Sequence, residues 1–135
     1  MSLLLVRHAS AGNRDEWTAH HHERPLDARG VEQAEHLVEV LARFPIERVL
    51  SSPAIRCLDT VAPLAAARGL VVEPRAELDE ERHHGEGVAL VRSLAGKNVV
   101  VCGHGGLEAA IPGAPQWHKG TTFVVDENLH VEAIF

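Results

Sequence analysis

Cysteine is scarce in this chain of 135 residues: Cys57 and Cys102 are the whole supply. Two thiols do not make a disulfide framework, so a reducing, cytoplasmic setting is expected. Neither heads a cysteine-dependent phosphatase loop, which needs an arginine six places on. Those places hold Pro63 and Glu108, so both thiols are read as small buried residues. No apolar run approaches the roughly 20 residues of a membrane span, and no membrane partner is expected. Met1 to Val6 lacks a basic leader segment, and Arg7-His8 interrupts it too early for a signal peptide. Excess positive charge is missing as well. The formal net charge is -6, which argues against a nucleic-acid surface. A phosphate site would have to be built locally, from a few convergent arginines. A Walker A loop is absent, because Ala95-Gly96-Lys97-Asn98 lacks the preceding glycine and the hydroxyl.

What remains is an ordinary globular composition, 45% apolar and 24% charged, and the length fits one domain, residues 1–135. No linker, repeat or low-complexity stretch divides it. Residues 2–7 form an apolar strand. Asp27 suits the N-cap of a helix with Val31, Ala34, Leu37, Val38 and Leu41 on its apolar face, ending before Pro45. Residues 46–50 form a second strand. Pro53 suits the first position of a helix reaching about Arg68 and kinked at Pro63. A third strand, 70–72, is cut off by Pro74. Val88, Val91, Leu94 and Ala95 mark another helix face. Residues 98–102 form the most β-prone run, expected at the centre of a sheet. A short helix is expected after Gly106, and a hairpin spans 121–134 around Asp126-Glu127-Asn128. Strand–helix alternation closed by a hairpin predicts a three-layer α/β/α sandwich, its sheet mostly parallel with an antiparallel edge.

In such sheets ligands bind beyond the carboxyl ends of the strands. There the sequence places His8, Ser51-Ser52 and His104. A neutral imidazole is a competent nucleophile toward phosphorus, and the neighbouring arginines are expected to keep His8 uncharged. Arg7 and Arg56 offer planar forks matched to phosphate oxygens. Gly103-His104-Gly105-Gly106 leads into a possible helix N-terminus, whose backbone N–H groups favour an anion. Arg56 is placed one turn inside its helix, on a side that could face the strand ends. Each residue alone has a bland alternative: a strand-end histidine, a tight turn, a solvated arginine. Three histidines at 20–22 and a pair at His83-His84 invite a metal reading, but metal sites more often use spaced ligands with carboxylate or thiolate partners. No metal or cofactor is expected.

Together, Arg7-His8-Ala9, Ser51-Ser52-Pro53-Ala54-Ile55-Arg56 with Thr60, and Gly103-His104-Gly105-Gly106 resemble the motifs of the histidine phosphatase superfamily, the phosphoglycerate-mutase-like fold. Ala9 stands where most members carry glycine. Arg24-Pro25-Leu26-Asp27-Ala28-Arg29-Gly30 resembles a segment of small SixA-type phosphohistidine phosphatases and of phosphatase domains appended to Nudix hydrolases. Lys119-Gly120-Thr121 resembles the latter group. The resemblance implies that His8 becomes phosphorylated while Arg7, Arg56, His104 and the Gly105 backbone hold the phosphoryl group. It implies a general acid in a Leu-x-Glu context. Leu78-Asp79-Glu80 selects Glu80, with Glu81 next and Glu77 a further candidate. Asn13, Arg14 and His20 to His22 lie where members place substrate contacts.

The expected activity is a metal-independent phosphatase working through phosphohistidine on a phosphoprotein, a nucleotide or a small phosphate ester. With no sizeable insertion to form a lid, a mutase is less well served, because its intermediate must be retained while the substrate turns over. The loop 10–23 could nevertheless cover the mouth. The other class to weigh is a non-catalytic phospho-ligand module, motivated by Ala9 and the crowded acids. Oligomeric state is not legible.

Overall fold

The computed structural model describes residues 1–12, 23–80 and 84–135. Six strands form one sheet in the order β3-β2-β4-β1-β5-β6. They are β1 (Leu3–Arg7), β2 (Arg48–Ser51), β3 (Val72–Pro74), β4 (Val99–Gly103), β5 (Thr122–Val125) and β6 (Val131–Ile134). The first four run parallel; β5 pairs antiparallel with β1, and β6 with β5. The expected sandwich with an antiparallel edge is therefore the observed one. No helix among the described residues is long and apolar enough to cross a membrane.

The strands are nearly continuous apolar runs because both faces are covered. Leu3 and Leu5 point to the face carrying α3 (His84–Ser93), where they pack with Val91, Leu94, Val101 and Leu107. Leu4 and Val6 point to the opposite face, with Leu37 and Leu41 beside α1 (Ala28–Val40) and Val61 and Leu64 of α2 (Ile55–Ala67). The period of two along β1 thus serves two cores at once. Truncating any of these leucines to alanine should cost ~2–5 kcal/mol. Both cysteines are free and buried, as expected.

Several local expectations shift. Asp27 does cap α1, accepting from the Gly30 amide, but Val31 is 47% exposed and leaves the apolar face. Pro53 does not open α2: Ala54 is its N-cap and Ile55 its first residue. Arg56 is consequently the second residue of the helix, not one turn in, while Pro63 does lie inside α2. The third strand starts later and includes Pro74, which pairs with Ser51. Proline is tolerated there because β3 lies at the sheet edge. The segment after Gly106 is one short 3₁₀ turn, Leu107–Ala110. Asn13, Arg14, His20 to His22, Glu81, His83 and the side chain of His84 lie outside the described residues.

Candidate active site

Register decides where the chemistry gathers. Arg7 of β1 pairs with Gly103 of β4, and Ser51 of β2 with Cys102. His8, His104 and Ser52 are therefore the first residues beyond three adjacent parallel strands. The two imidazole rings meet edge to face, with centroids 5.4 Å apart. Both are 3% exposed, and Arg56 is 1% exposed.

The surroundings of His8 fix its tautomer. Its Nδ1 lies 2.9 Å from the Ala9 carbonyl oxygen, which can only accept. The proton therefore sits on Nδ1, and Nε2 keeps a lone pair. Because the acceptor is backbone, alanine at position 9 provides it as well as glycine would. The pKa of His8 is lowered to about 3, chiefly by burial, with the charges of His104, Arg56 and Arg7 contributing less. The expected neutrality holds, but its main cause is desolvation rather than the arginines.

His104 has both ring nitrogens engaged. Nη2 of Arg56 donates to Nδ1 over 3.3 Å, so Nε2 carries the proton and meets the Ser52 hydroxyl at 2.8 Å. Arg56 Nη2 also donates to Glu80 Oε1 at 3.1 Å, and Glu80 Oε2 lies 3.8 Å from His104 Nδ1. Among the described residues, Glu80 is the expected acid that reaches this cluster. Glu77 is held by Arg75 Nη2 at 2.6 Å.

Arg7 is fixed differently. Its Nη1 donates to the Trp117 carbonyl at 2.6 Å, and its guanidinium lies flat on Gly105. A Cβ at Gly105 would come within 3.2 Å of Arg7 Nη2. Gly105 thus serves by lacking a side chain. Of the backbone N–H groups at the next helix start, that of Gly106 is already taken, donating to Glu108 Oε1 at 2.5 Å.

Two supports carried a motif signature without a legible role. Thr60 Oγ1 accepts from the Ala9 amide at 2.9 Å and donates to the Arg56 carbonyl at 2.6 Å, tying the His8 loop to the helix that presents Arg56. The segment from Arg24 to Gly30 shapes the same loop from the other side. Buried Arg24 donates to the carbonyls of Ala11 and Gly12. Asp27 Oδ2 accepts from the Ser10 hydroxyl and the Gly12 amide, while Oδ1 accepts from Gly30. The Ser10 hydroxyl, then the Gly30 and Gly12 amides, hold the Asp27 carboxyl below the usual range. Gly30 is obligatory: its Cβ would fall 1.9 Å from the Ser10 carbonyl oxygen.

With this geometry in view, the likenesses to known proteins can be placed. The Histidine phosphatase superfamily (branch 1) pattern matches residues 3–88. An 8-oxo-(d)GTP phosphatase of Mycolicibacterium smegmatis (strain ATCC 700084 / mc(2)155) is 34% identical over 121 residues, which is 86% of this chain and 37% of that protein. The chain thus spans little more than a third of that relative. The structure of the protein histidine phosphatase SixA complexed with tungstate superposes with a TM-score of 0.80 at 22% identity, covering 99% of this chain and 96% of the other. Bacillus stearothermophilus YhfR gives 0.74 at 16% identity, over 97% and 95%. These two likenesses speak to the fold. On the sequence match over well more than half its length, the chain belongs to the histidine phosphatase superfamily.

Proposed function

We propose that this histidine phosphatase transfers a phosphoryl group from its substrate to Nε2 of His8 and then to water. The Nε2 lone pair attacks phosphorus, the bond to the leaving group breaks, and a proton from Glu80 accompanies the departing atom. Water then attacks phosphorus, returning a proton to Glu80 as the P–N bond breaks, which releases inorganic phosphate and restores the imidazole. Arg7 and Arg56 hold the non-bridging oxygens, and His104, once protonated at Nδ1, adds a third donor. Glu80 accepts from Arg56 Nη2, so an arriving phosphoryl group competes with its carboxyl group and turns it toward the leaving group.

The observation that carries this reading is the hydrogen bond from His8 Nδ1 to the Ala9 carbonyl, in a pocket that keeps the ring neutral. We further propose that the substrate is a phosphohistidine protein, a nucleotide or a small phosphate ester. A protein histidine phosphatase with bound tungstate shares the fold, and the M. smegmatis relative is a nucleotide phosphatase. An imidazole leaving group would ask less of Glu80 than an alkoxide.

Hydrolysis of p-nitrophenyl phosphate by the protein and by His8→Ala tests the assignment, with acid-labile, base-stable label trapped from [32P]-labelled substrate. Turnover and label that both vanish in His8→Ala are expected. Undiminished hydrolysis by His8→Ala would remove His8 as nucleophile. Phosphate binding without turnover in the parent would mark a binding module instead. A panel of phosphohistidine protein, nucleoside phosphates, sugar phosphates and phosphoglycerates then ranks the substrates.

A further inference from the structure

Beside the phosphoryl cradle lies a cavity of about 390 Å³, lined by Arg7, Ser10, Arg29, Gln33, His118 and Lys119. It shares Arg7 with the cradle, and its remaining basic groups come from two elements locked to the nucleophile strand. The Gly120 amide, next to Lys119, hydrogen-bonds the carbonyls of Arg7 and His8. Gly120 has a φ of 78° and packs so closely on Gln33 that a Cβ would lie 2.9 Å from the Gln33 amide group. Gln33 Oε1 in turn accepts from the Ser10 amide at 2.9 Å, which leaves its NH₂ donors for other use. The cavity wall is thus a built surface, continuous with the loop that follows His8.

Its charge is unbalanced. Among the described residues no carboxylate comes within ion-pairing distance of Arg29, His118 or Lys119. In a chain of net charge -6, the carboxylate felt by both Arg29 and Lys119 is that of Asp27, already engaged by Ser10, Gly12 and Gly30. Cations gathered this way beside a phosphoryl site favour the arrival of a further anion. The lysine feels this: burial, and then the charges of Arg24, Arg7 and Arg56, lower its pKa, with Asp27 opposing.

Building on the phosphatase reading, we propose that this cavity holds a second anionic group of the substrate, a phosphate or a carboxylate on the leaving-group side, through Arg29, His118 and Lys119. The preferred substrates are then esters or anhydrides of phosphoric acid that carry two anionic centres. One is seated at His8, the other between α1 and the loop before β5. Apart from Arg7, which both share, the group that is transferred and the group that is recognised are held by different side chains.

The test separates recognition from turnover. Calorimetric titrations with inorganic phosphate, pyrophosphate and phosphoglycolate are run on the parent, Lys119→Met and Arg29→Gln, with circular dichroism to verify folding of these surface variants. Hydrolysis of ADP, phosphoglycolate and p-nitrophenyl phosphate is followed alongside. In the parent, at least one doubly anionic probe should bind at least tenfold more tightly than phosphate. Each variant should reduce that preference by roughly tenfold, with a parallel fall in kcat/KM relative to p-nitrophenyl phosphate. Loss confined to pyrophosphate and ADP identifies a second phosphate, and loss confined to phosphoglycolate identifies a carboxylate. Equal affinity of the parent for all three probes would overturn the proposal, as would variants that weaken all three alike or none. A chain that hydrolyses nothing yet shows the binding preference would refute the phosphatase reading and leave the subsite standing.

Discussion

His8 and His104 follow neighbouring parallel strands, are equally buried, and sit 5.4 Å apart, yet they are prepared for different work. His8 spends one nitrogen on a backbone carbonyl that cannot move away and keeps the other as a lone pair. His104 has a side chain at each nitrogen, Ser52 on one side and Arg56 on the other, and those partners can exchange for phosphoryl oxygens. The strand end sets the place of an imidazole; the partner of its Nδ1 sets its role. On the proposed reading, an unshared lone pair in a desolvated pocket suits a nucleophile, whereas a ring with side-chain partners at both nitrogens suits a binding group.

The difference is broken most severely by asparagine at each position. His8→Asn can keep a donor for the Ala9 carbonyl but has no nucleophilic nitrogen lone pair, so kcat should fall by more than ~10⁴ while phosphate still binds. His104→Asn should cost ~10²–10³ in kcat/KM, the usual loss for one donor to the transferring group. Steady-state kinetics and phosphate titration of both variants check this, and equal losses in kcat would erase the distinction.

Proton linkage sharpens the contrast next. The unfolded chain protonates His8 near pH 6.5 and the native chain only near 3, so between these values the unfolded state binds more protons. Stability from this group is complete above pH 6.5 and is lost as pH falls toward 3, by roughly 3 kcal/mol at pH 4. Unfolding free energies of the parent and His8→Gln from urea titrations between pH 7 and 4 should diverge by that amount. Parallel curves would mean the His8 ring is not held neutral. The acid limb of activity due to His8 should likewise lie well below pH 6.5.

A smaller effect is expected at Thr60, which links the two halves of the site. Thr60→Val leaves the buried Ala9 amide without its acceptor and should cost ~1–3 kcal/mol in stability. Because the loop bearing His8 also loosens from α2, kcat should drop more than KM rises. An unchanged melting temperature together with unchanged kcat would remove Thr60 as a tie.

Much of this was legible in the chain. The period-two burial of Leu3 to Val6, the β-prone run before Gly103 and the histidines ending both runs were enough to place the two imidazoles at one sheet end. Asp27 announced its cap. What escaped reading depends on backbone approach. That Gly30 meets the Ser10 carbonyl and that Pro74 rides an edge strand are matters of contact between segments, for which local pattern has no signal. The cause of His8 neutrality escaped for the same reason: neighbouring arginines are visible in sequence, but desolvation is a property of the assembled pocket. Thr60 and Gly105 lay within recognisable motifs, yet only the coordinates say that one is a strut and the other a flat bed for Arg7.

That bed has a thermodynamic consequence. A guanidinium already pressed against a glycine and pinned to the Trp117 carbonyl has given up its rotameric disorder when the chain folds, before any oxyanion arrives. Seating tetrahedral anions such as phosphate or vanadate should therefore extract little ordering entropy from this arginine. A β-carbon at position 105 would tilt the fork and return that penalty to every encounter with a ligand.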